Sequence, residues 1–342
     1  MLRRTLSRTV RLLALLALPA AAQSTPPPTL HLQVLLSDLE PLHERQQRQA
    51  ELFYAALKAE WSSKDRWGAR AELRGTEGRF RDYFRGSLWL EEGYGFAPTP
   101  LGELRVGKLP RVFGVPDETF GGDLHSRNGV TRNPEFGVSL SGSREFGLNS
   151  LTYTLSYLGA NDHVAFEEDG RGVESDPLAK LRDGLELRAG YRLYKGLVTI
   201  TPAVSAATAH IVRSDGLPSF WRTDLGADLT ATIGPISAAV GLLTRNGEEA
   251  RAANRLARLG YDDAFAGILN LKVEFPTLVV RYVYSTWRYA GADLRESLHQ
   301  PAVVWLPRKG IEATIEYEGR RLSGPGGVES FSAFRFGLGL SY

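Results

Sequence analysis

The residue types that carry most enzyme chemistry are few and scattered. The chain has 342 residues, six histidines and no cysteine. The histidines are His31, His43, His125, His163, His210 and His299. No two of them stand at the H-x-x-x-H spacing that sets paired metal ligands on one helix face. A Gly-x-Ser-x-Gly nucleophile turn is absent, and so is a Gly-rich phosphate loop ending in Lys-Ser/Thr. Asp162-His163 is the closest approach to an acid–base pair, and no nucleophile accompanies it. Asn161-Asp-His and Asp262-Asp263 offer oxygen ligands for a divalent cation, although solvated loop acids are the commoner reading. The expectation is therefore no catalytic residue, no metal and no cofactor.

The charged residues follow another rule. In Leu185 to Leu193, the apolar set is Leu185, Leu187, Ala189, Tyr191 and Leu193. Glu186, Arg188, Gly190 and Arg192 form the other set. A period of two puts these sets on opposite faces of a strand. The same alternation is clear at 67–75, 84–90, 101–107, 148–158, 221–233, 264–275, 277–287, 309–319 and 331–342. It is weaker at 30–37, 52–61, 136–142, 196–208, 235–245 and 298–306. About sixteen strands result, many near the ~9–11 residues that a tilted membrane strand needs.

The connections add a rhythm. Ser143–Gly147, Tyr194-Lys195, Gly234-Pro235, Pro276-Thr277 and Pro307–Lys309 read as short turns. Segments 110–135, 159–183, 209–220, 246–263, 288–297 and 320–330 read as long polar connections. Segment 91–100 is long for a turn and blurs the rhythm. Segment 246–263 and part of 38–50 read as solvated helices on outer loops. Alternating short turns and long loops are what a membrane barrel produces, with the turns periplasmic and the loops extracellular.

The N-terminus reads as a secretory signal. Arg3, Arg4, Arg8 and Arg11 precede the apolar run Leu12–Leu18, and Ala20-Ala21-Ala22 supplies the small-residue cleavage pattern. The expected division is a signal peptide at 1–22 and a transmembrane barrel at 23–342. Removing four arginines and no acid takes the formal net charge from +2 to −2, which does not support a basic nucleic-acid binder. Without cysteine there is no lipid-modified N-terminal Cys, disulfide framework or thiolate metal site. No later run of ~18 apolar residues marks a helical span.

A closed barrel is needed because hydrocarbon offers no partner for an open strand edge. Leu104, Val106, Leu151, Leu155, Tyr157, Leu278, Val280, Tyr282, Phe334, Phe336, Leu338 and Leu340 then face lipid. The water-lined lumen takes Arg70, Glu72, Arg74, Arg85, Glu103, Arg105, Glu186, Arg188, Arg192, Arg222, Asp224, Asp228, Lys272, Glu274, Arg281, Glu312, Glu316, Glu318 and Arg335. These could not enter a dry core without a large desolvation cost. Trp61, Trp67, Tyr191, Tyr194, Trp221, Phe275, Trp287 and Trp305 sit near strand ends, where interfacial girdles form.

The terminal run Phe334-Arg-Phe-Gly-Leu-Gly-Leu-Ser-Tyr342 resembles the final-strand signal of bacterial outer-membrane barrels. That resemblance implies insertion by the barrel assembly machinery into outer-membrane lipid. Residues 23–342 fit the layout of a sixteen-stranded porin. Leu104–Gly114 is similar to the strand and turn that precede the third loop in porin-like families, the phosphate-selective group included. In trimeric porins the corresponding loop folds into the lumen. The resemblance thus implies a homotrimer and a constriction at 110–135, with Arg111, Asp117, Glu118, Asp123, Arg127 and Arg132 as its charges and His125 among its residues. An outward surface loop is the alternative.

The fold class expected is an all-β, antiparallel transmembrane barrel of about sixteen strands. The function expected is passive diffusion of small polar or ionic solutes, with a weak anion preference because arginine exceeds lysine and suits phosphate or carboxylate. Two other classes stay open: a barrel-borne hydrolase, and a non-conducting structural or adhesive envelope protein.

Overall fold

The computed structural model describes residues 29–41, 49–75, 88–116, 118–119, 123–124, 135–161, 179–213, 219–246, 263–290 and 293–341. The N-terminal segment 1–22 lies outside the described residues. Sixteen strands follow in order: β1 Thr29–Pro41, β2 Gln49–Ser62, β3 Gly68–Gly75, β4 Leu88–Thr99, β5 Gly102–Leu109, β6 Glu135–Phe146, β7 Asn149–Asn161 and β8 Ala179–Lys195. The second half holds β9 Val198–Arg213, β10 Phe220–Ile233, β11 Ile236–Asn246, β12 Ala264–Phe275, β13 Leu278–Tyr289, β14 Leu294–Arg308, β15 Ile311–Gly324 and β16 Gly327–Ser341. Each pairs antiparallel with its neighbour in sequence, and β1 pairs with β16 to close the barrel. In that seam Leu36 stands opposite Leu338 and Asp38 opposite Phe336. Closure leaves no backbone edge facing lipid, which is the condition for a sheet to cross a membrane.

Local chemistry sets the turns. Gly147, Gly196, Gly234 and Gly310 have φ between 55° and 82°. L-residues with a side chain rarely take that conformation, and glycine takes it without steric cost. These tight hairpins join β6 to β7, β8 to β9, β10 to β11 and β14 to β15, all at one end of the barrel. The long connections leave from the other end.

Four sequence expectations need correction. Segment 91–100 is not a connection but most of β4. Its outward positions are Gly93, Gly95 and Ala97, while Tyr94 and Phe96 turn inward, so the apolar pattern is inverted there. Segments 288–297 and 320–330 are not long loops: β13 and β14 run to Tyr289 and from Leu294, and β15 and β16 meet at a tight turn. Of segment 38–50, residues 38–41 and 49–50 extend β1 and β2 as strand rather than helix, and 42–48 lie outside the described residues. The helix expected at 246–263 lies outside the described residues except at its two ends.

The outward face is apolar. Leu104, Val138, Leu155, Leu187, Val204, Leu225, Leu242, Leu271, Val280, Val303, Phe336 and Leu338 are all exposed to the surroundings. Trp305 and Phe275 sit outward at the turn end, and Trp221 sits outward at the loop end, stacked on His210. Trp287 is not part of a girdle. It is fully buried inside the barrel, with the Arg245 guanidinium 5.1 Å above its ring. Its neighbours in sequence made it look interfacial; strand parity turns it inward.

Candidate functional site

Charged side chains occupy the inner face on nearly every strand, and register brings them into pairs. Glu72 on β3 meets Lys58 of β2 at 3.4 Å and Arg74 at 2.7 Å. Arg74 also reaches Glu91 at 3.1 Å, and Arg70 lies 3.6 Å from Glu92. Arg105 pairs with Glu103 on β5. Across β9, Arg188 of β8 holds Asp228 of β10 through two hydrogen bonds of 2.7 and 2.9 Å. This bidentate fork fixes the geometry as well as the charge. Arg281 pairs with Glu316 at 2.9 Å, and Arg335 with Glu318 at 3.0 Å.

Eight of the inward charges expected against water are buried instead: Glu72, Glu186, Arg222, Asp224, Asp228, Arg281, Glu316 and Glu318. Arg222 and Asp224 are 2 % exposed, and Arg245 closes on Asp224 at 2.7 Å. They lie beneath other side chains on the β9–β11 wall. Arg320 and Glu296 form a second covered pair on the β14–β15 wall, with the Tyr289 hydroxyl donating to Glu296 at 3.2 Å. Arg85 lies outside the described residues.

The covering comes from the segment after β5. Residues 110–116 enter the lumen and bond to inward-facing groups. The Gly114 amide donates to Ser205 Oγ at 3.1 Å, and Arg111 pairs with Glu186. Farther along, the Leu124 amide donates to Ser285 Oγ at 3.2 Å. Lys272 pairs with Glu118 at 3.0 Å, and Arg281 donates to the Glu118 carbonyl. Apolar anchors accompany these bonds. Phe113 and Leu124 are buried with Leu243, Ala266, Trp287 and Leu298, and Val115 with Ala239, Ile268 and Val283. Burying each such side chain contributes about 1.5–3 kcal/mol.

Two glycines make room for the anchors. A Cβ at Gly226 would lie 3.0 Å from Phe113, and one at Gly241 would lie 3.0 Å from Val115. Asp224, Gly226 and Asp228 alternate inward on β10, so the wall carries a notch between two acids.

Of the six constriction candidates, three are described. Arg111 is held against the wall by Glu186, Glu118 is exposed beside Lys272, and Asp123 is buried. Asp117, Arg127 and Arg132 lie outside the described residues, as does His125. Sequence reasoning missed the apolar anchors Phe113, Val115 and Leu124 and their receptors Ser205, Ser285, Gly226 and Gly241. The signal was a Phe-Gly-Val tripeptide in an otherwise polar connection. Nothing local identifies the wall residues it would meet.

No protein-family model matches the chain, and no curated protein matches it in sequence. Solved structures do match in shape. Salmonella typhi OmpF superposes with a TM-score of 0.65 at 13 % identity, over 92 % of this chain and 97 % of that one. The anion-selective porin of Comamonas acidovorans gives 0.63 at 12 % identity, over 92 % and 100 %. The trimer form of Vibrio cholerae OmpT, an outer-membrane protein, gives 0.59 at 13 % identity, over 93 % and 100 %. At such identities the likeness shows the fold, and the fold agrees with the closed sixteen-stranded sheet and its charged interior. The chain has the architecture of the outer-membrane porins.

Proposed function

We propose that the protein is a diffusion channel for small polar and ionic solutes with a weak preference for anions. One observation carries the preference. In several lumen ion pairs the carboxylate is buried and the cation reaches water: Lys58 is 32 % exposed and Arg74 25 %, against 2 % for their shared partner Glu72. Arg188 and Asp228 show the same contrast at 21 % and 2 %. A solute passing the wall meets guanidinium and ammonium groups before it meets carboxylates. The charges balance in number, but those in contact with water do not. Arg105–Glu103 and the exposed Glu118 and Glu274 beside Lys272 run the other way, which keeps the preference weak.

Among the described residues no cluster of His, Asp and Glu is placed to hold a metal. We extend three further points to this chain by the same reading: export by the 1–22 signal, insertion through the assembly machinery, and a trimeric state like that of the Vibrio cholerae structure. Residues Asp117, Glu118, Arg127 and Arg132 then border the narrowest passage, while Asp123 is buried and Arg111 is held against the wall by Glu186. Fixed charges act strongly there because the walls have low dielectric.

The test is single-channel recording in planar bilayers under a salt gradient. The expected reversal potential has the sign of anion permeation and shrinks as salt rises, since screening shortens the reach of fixed charge. Lys58→Gln with Arg70→Gln should move it toward cations. A cation-selective wild type would overturn the preference. Absence of conductance would overturn the channel and favour a structural barrel.

A further inference from the structure

Three arginines break the apolar outer surface. Arg288, Arg295 and Arg321 stand on β13, β14 and β15, and all three are exposed. Strand parity sets them outward: Arg288 shares its face with Val280, Arg295 with Trp305 and Val303, and Arg321 with Ile315. Arg288 is the direct cross-strand partner of Arg295. Arg321 is the partner of Ser297, diagonal to Arg295. Like charges placed directly opposite each other destabilise a sheet. No carboxylate among the described residues forms an ion pair with any of the three. Asp263 and Asp293 precede β12 and β14 on the loop side of the arginines, and Glu329 on β16 has the inward parity of Phe331. Glu296 points inward to Arg320.

Depth identifies what covers this patch. From Trp305 to Arg295 is about 33 Å of strand, which at a tilt of ~40° spans about 25 Å along the barrel axis. That is the height of the apolar band of such barrels. If Trp305 marks one membrane interface, the arginines mark the other. Phe265 on β12 is the cross-strand partner of Arg288 and faces outward beside it, as an aromatic at the edge of hydrocarbon would. On β10 and β11 the outward residues at the same end are Trp221, Thr223, Thr244 and Asn246, which carry no charge. Across β10 to β15 the outward positive charge at this end sits on these three residues.

We infer that Arg288, Arg295 and Arg321 form a binding site for the phosphate headgroup of an anionic lipid in the leaflet on the loop side. Guanidinium forks match phosphate oxygens bidentately. The hydroxyls of Ser297 and Ser330, cross-strand partners of Arg321, add neutral donors at its border. The bound headgroup removes the repulsion between Arg288 and Arg295, and its acyl chains continue down the apolar face toward Val303 and Ile315. A free anion would gain nothing from that face. The site lies outside the lumen, so its occupancy is independent of the channel reading.

The test uses the full barrel, folded in detergent and incubated with dioleoyl phosphatidic acid or dioleoyl phosphatidylcholine. Bound lipid is counted by native mass spectrometry. The barrel should retain about tenfold more phosphatidic acid, with retention falling as salt rises. R288Q/R295Q/R321Q should reduce phosphatidic acid to the phosphatidylcholine level, and the triple lysine variant should stay within about threefold of wild type. Conductance of both variants should equal that of wild type. If the triple glutamine variant does not fold, R288Q and R295Q alone should each lose about threefold. Equal retention of the two lipids, or undiminished phosphatidic acid on the glutamine variants, would overturn the site. So would full displacement by millimolar inorganic phosphate, which would make it a site for the free ion.

Discussion

Each inward residue does one of two things, and its neighbours decide which. Arg281 was expected to face water. In the structure it reaches Glu316, which is fully buried, and the Glu118 carbonyl. Arg281→Ala strands that carboxylate, and breaking a buried pair costs about 3 kcal/mol. Urea unfolding of the refolded barrel should show that loss. Arg192, exposed near the turn end, should lose less than about 1 kcal/mol on the same change. Gly226 offers a second test. Gly226→Val puts carbon where the Phe113 ring sits, so the inward segment must leave the wall and enter the passage. Single-channel conductance should fall. Phe113→Ala on the Gly226→Val background should restore it, because the smaller side chain returns the space. Failure of that rescue would show that the notch does not set the position of the segment.

Strands differ in what alternation reveals about them. β8 was legible because its outward set is Leu185, Leu187, Ala189, Tyr191 and Leu193, uninterrupted from rim to rim. β4 was not, because its outward set is Gly93, Gly95 and Ala97. The loop-side ends of β13, β14 and β15 were read as loops because Arg288, Arg295, Ser297 and Arg321 rise above the apolar band. A strand longer than the hydrocarbon loses its alternation where it leaves the hydrocarbon. Depth along a strand therefore sets the cost of a buried charge. Leu187→Arg, at the middle of β8, should cost about 2–4 kcal/mol, and Val280→Arg, two residues from a periplasmic turn, clearly less. Folding into vesicles with urea titration measures both. Equal costs would contradict the assigned depths.

On the scale of the whole molecule, an even strand count returns the chain to the side on which it started. Connections 162–178 and 247–262 join strands at the end opposite Gly234-Pro235. Cysteines introduced at Asp169 and Glu248 should react with an impermeant maleimide in intact cells, and Pro235→Cys should not. Reversed labelling would invert the orientation. Deleting 117–130 tests the inward segment as a unit. Conductance should rise and charge discrimination fall, because the deletion removes Glu118, Asp123 and Leu124 from the lumen. Unchanged conductance would place the narrowest passage elsewhere.

Sequence alone determined the strands, their number, the two faces and the closed sheet. Those follow from a period of two, from turn glycines and from the need to satisfy every backbone group in lipid, all of which act between near neighbours. It also supplied the inward charges, strand by strand. Tertiary structure decided which of them see water. Arg188 meets Asp228 across forty residues, Arg111 meets Glu186 across seventy-five, and Leu124 meets Ser285 across one hundred and sixty-one. Such partners are fixed by the register with which sixteen strands close, and that register is a property of the whole sheet. Asp224 and Glu72 look alike as alternating acids in the sequence. One is covered by the wall around Arg245 and the other lies beneath two water-facing cations, because closure brings different strands and a different stretch of chain over each.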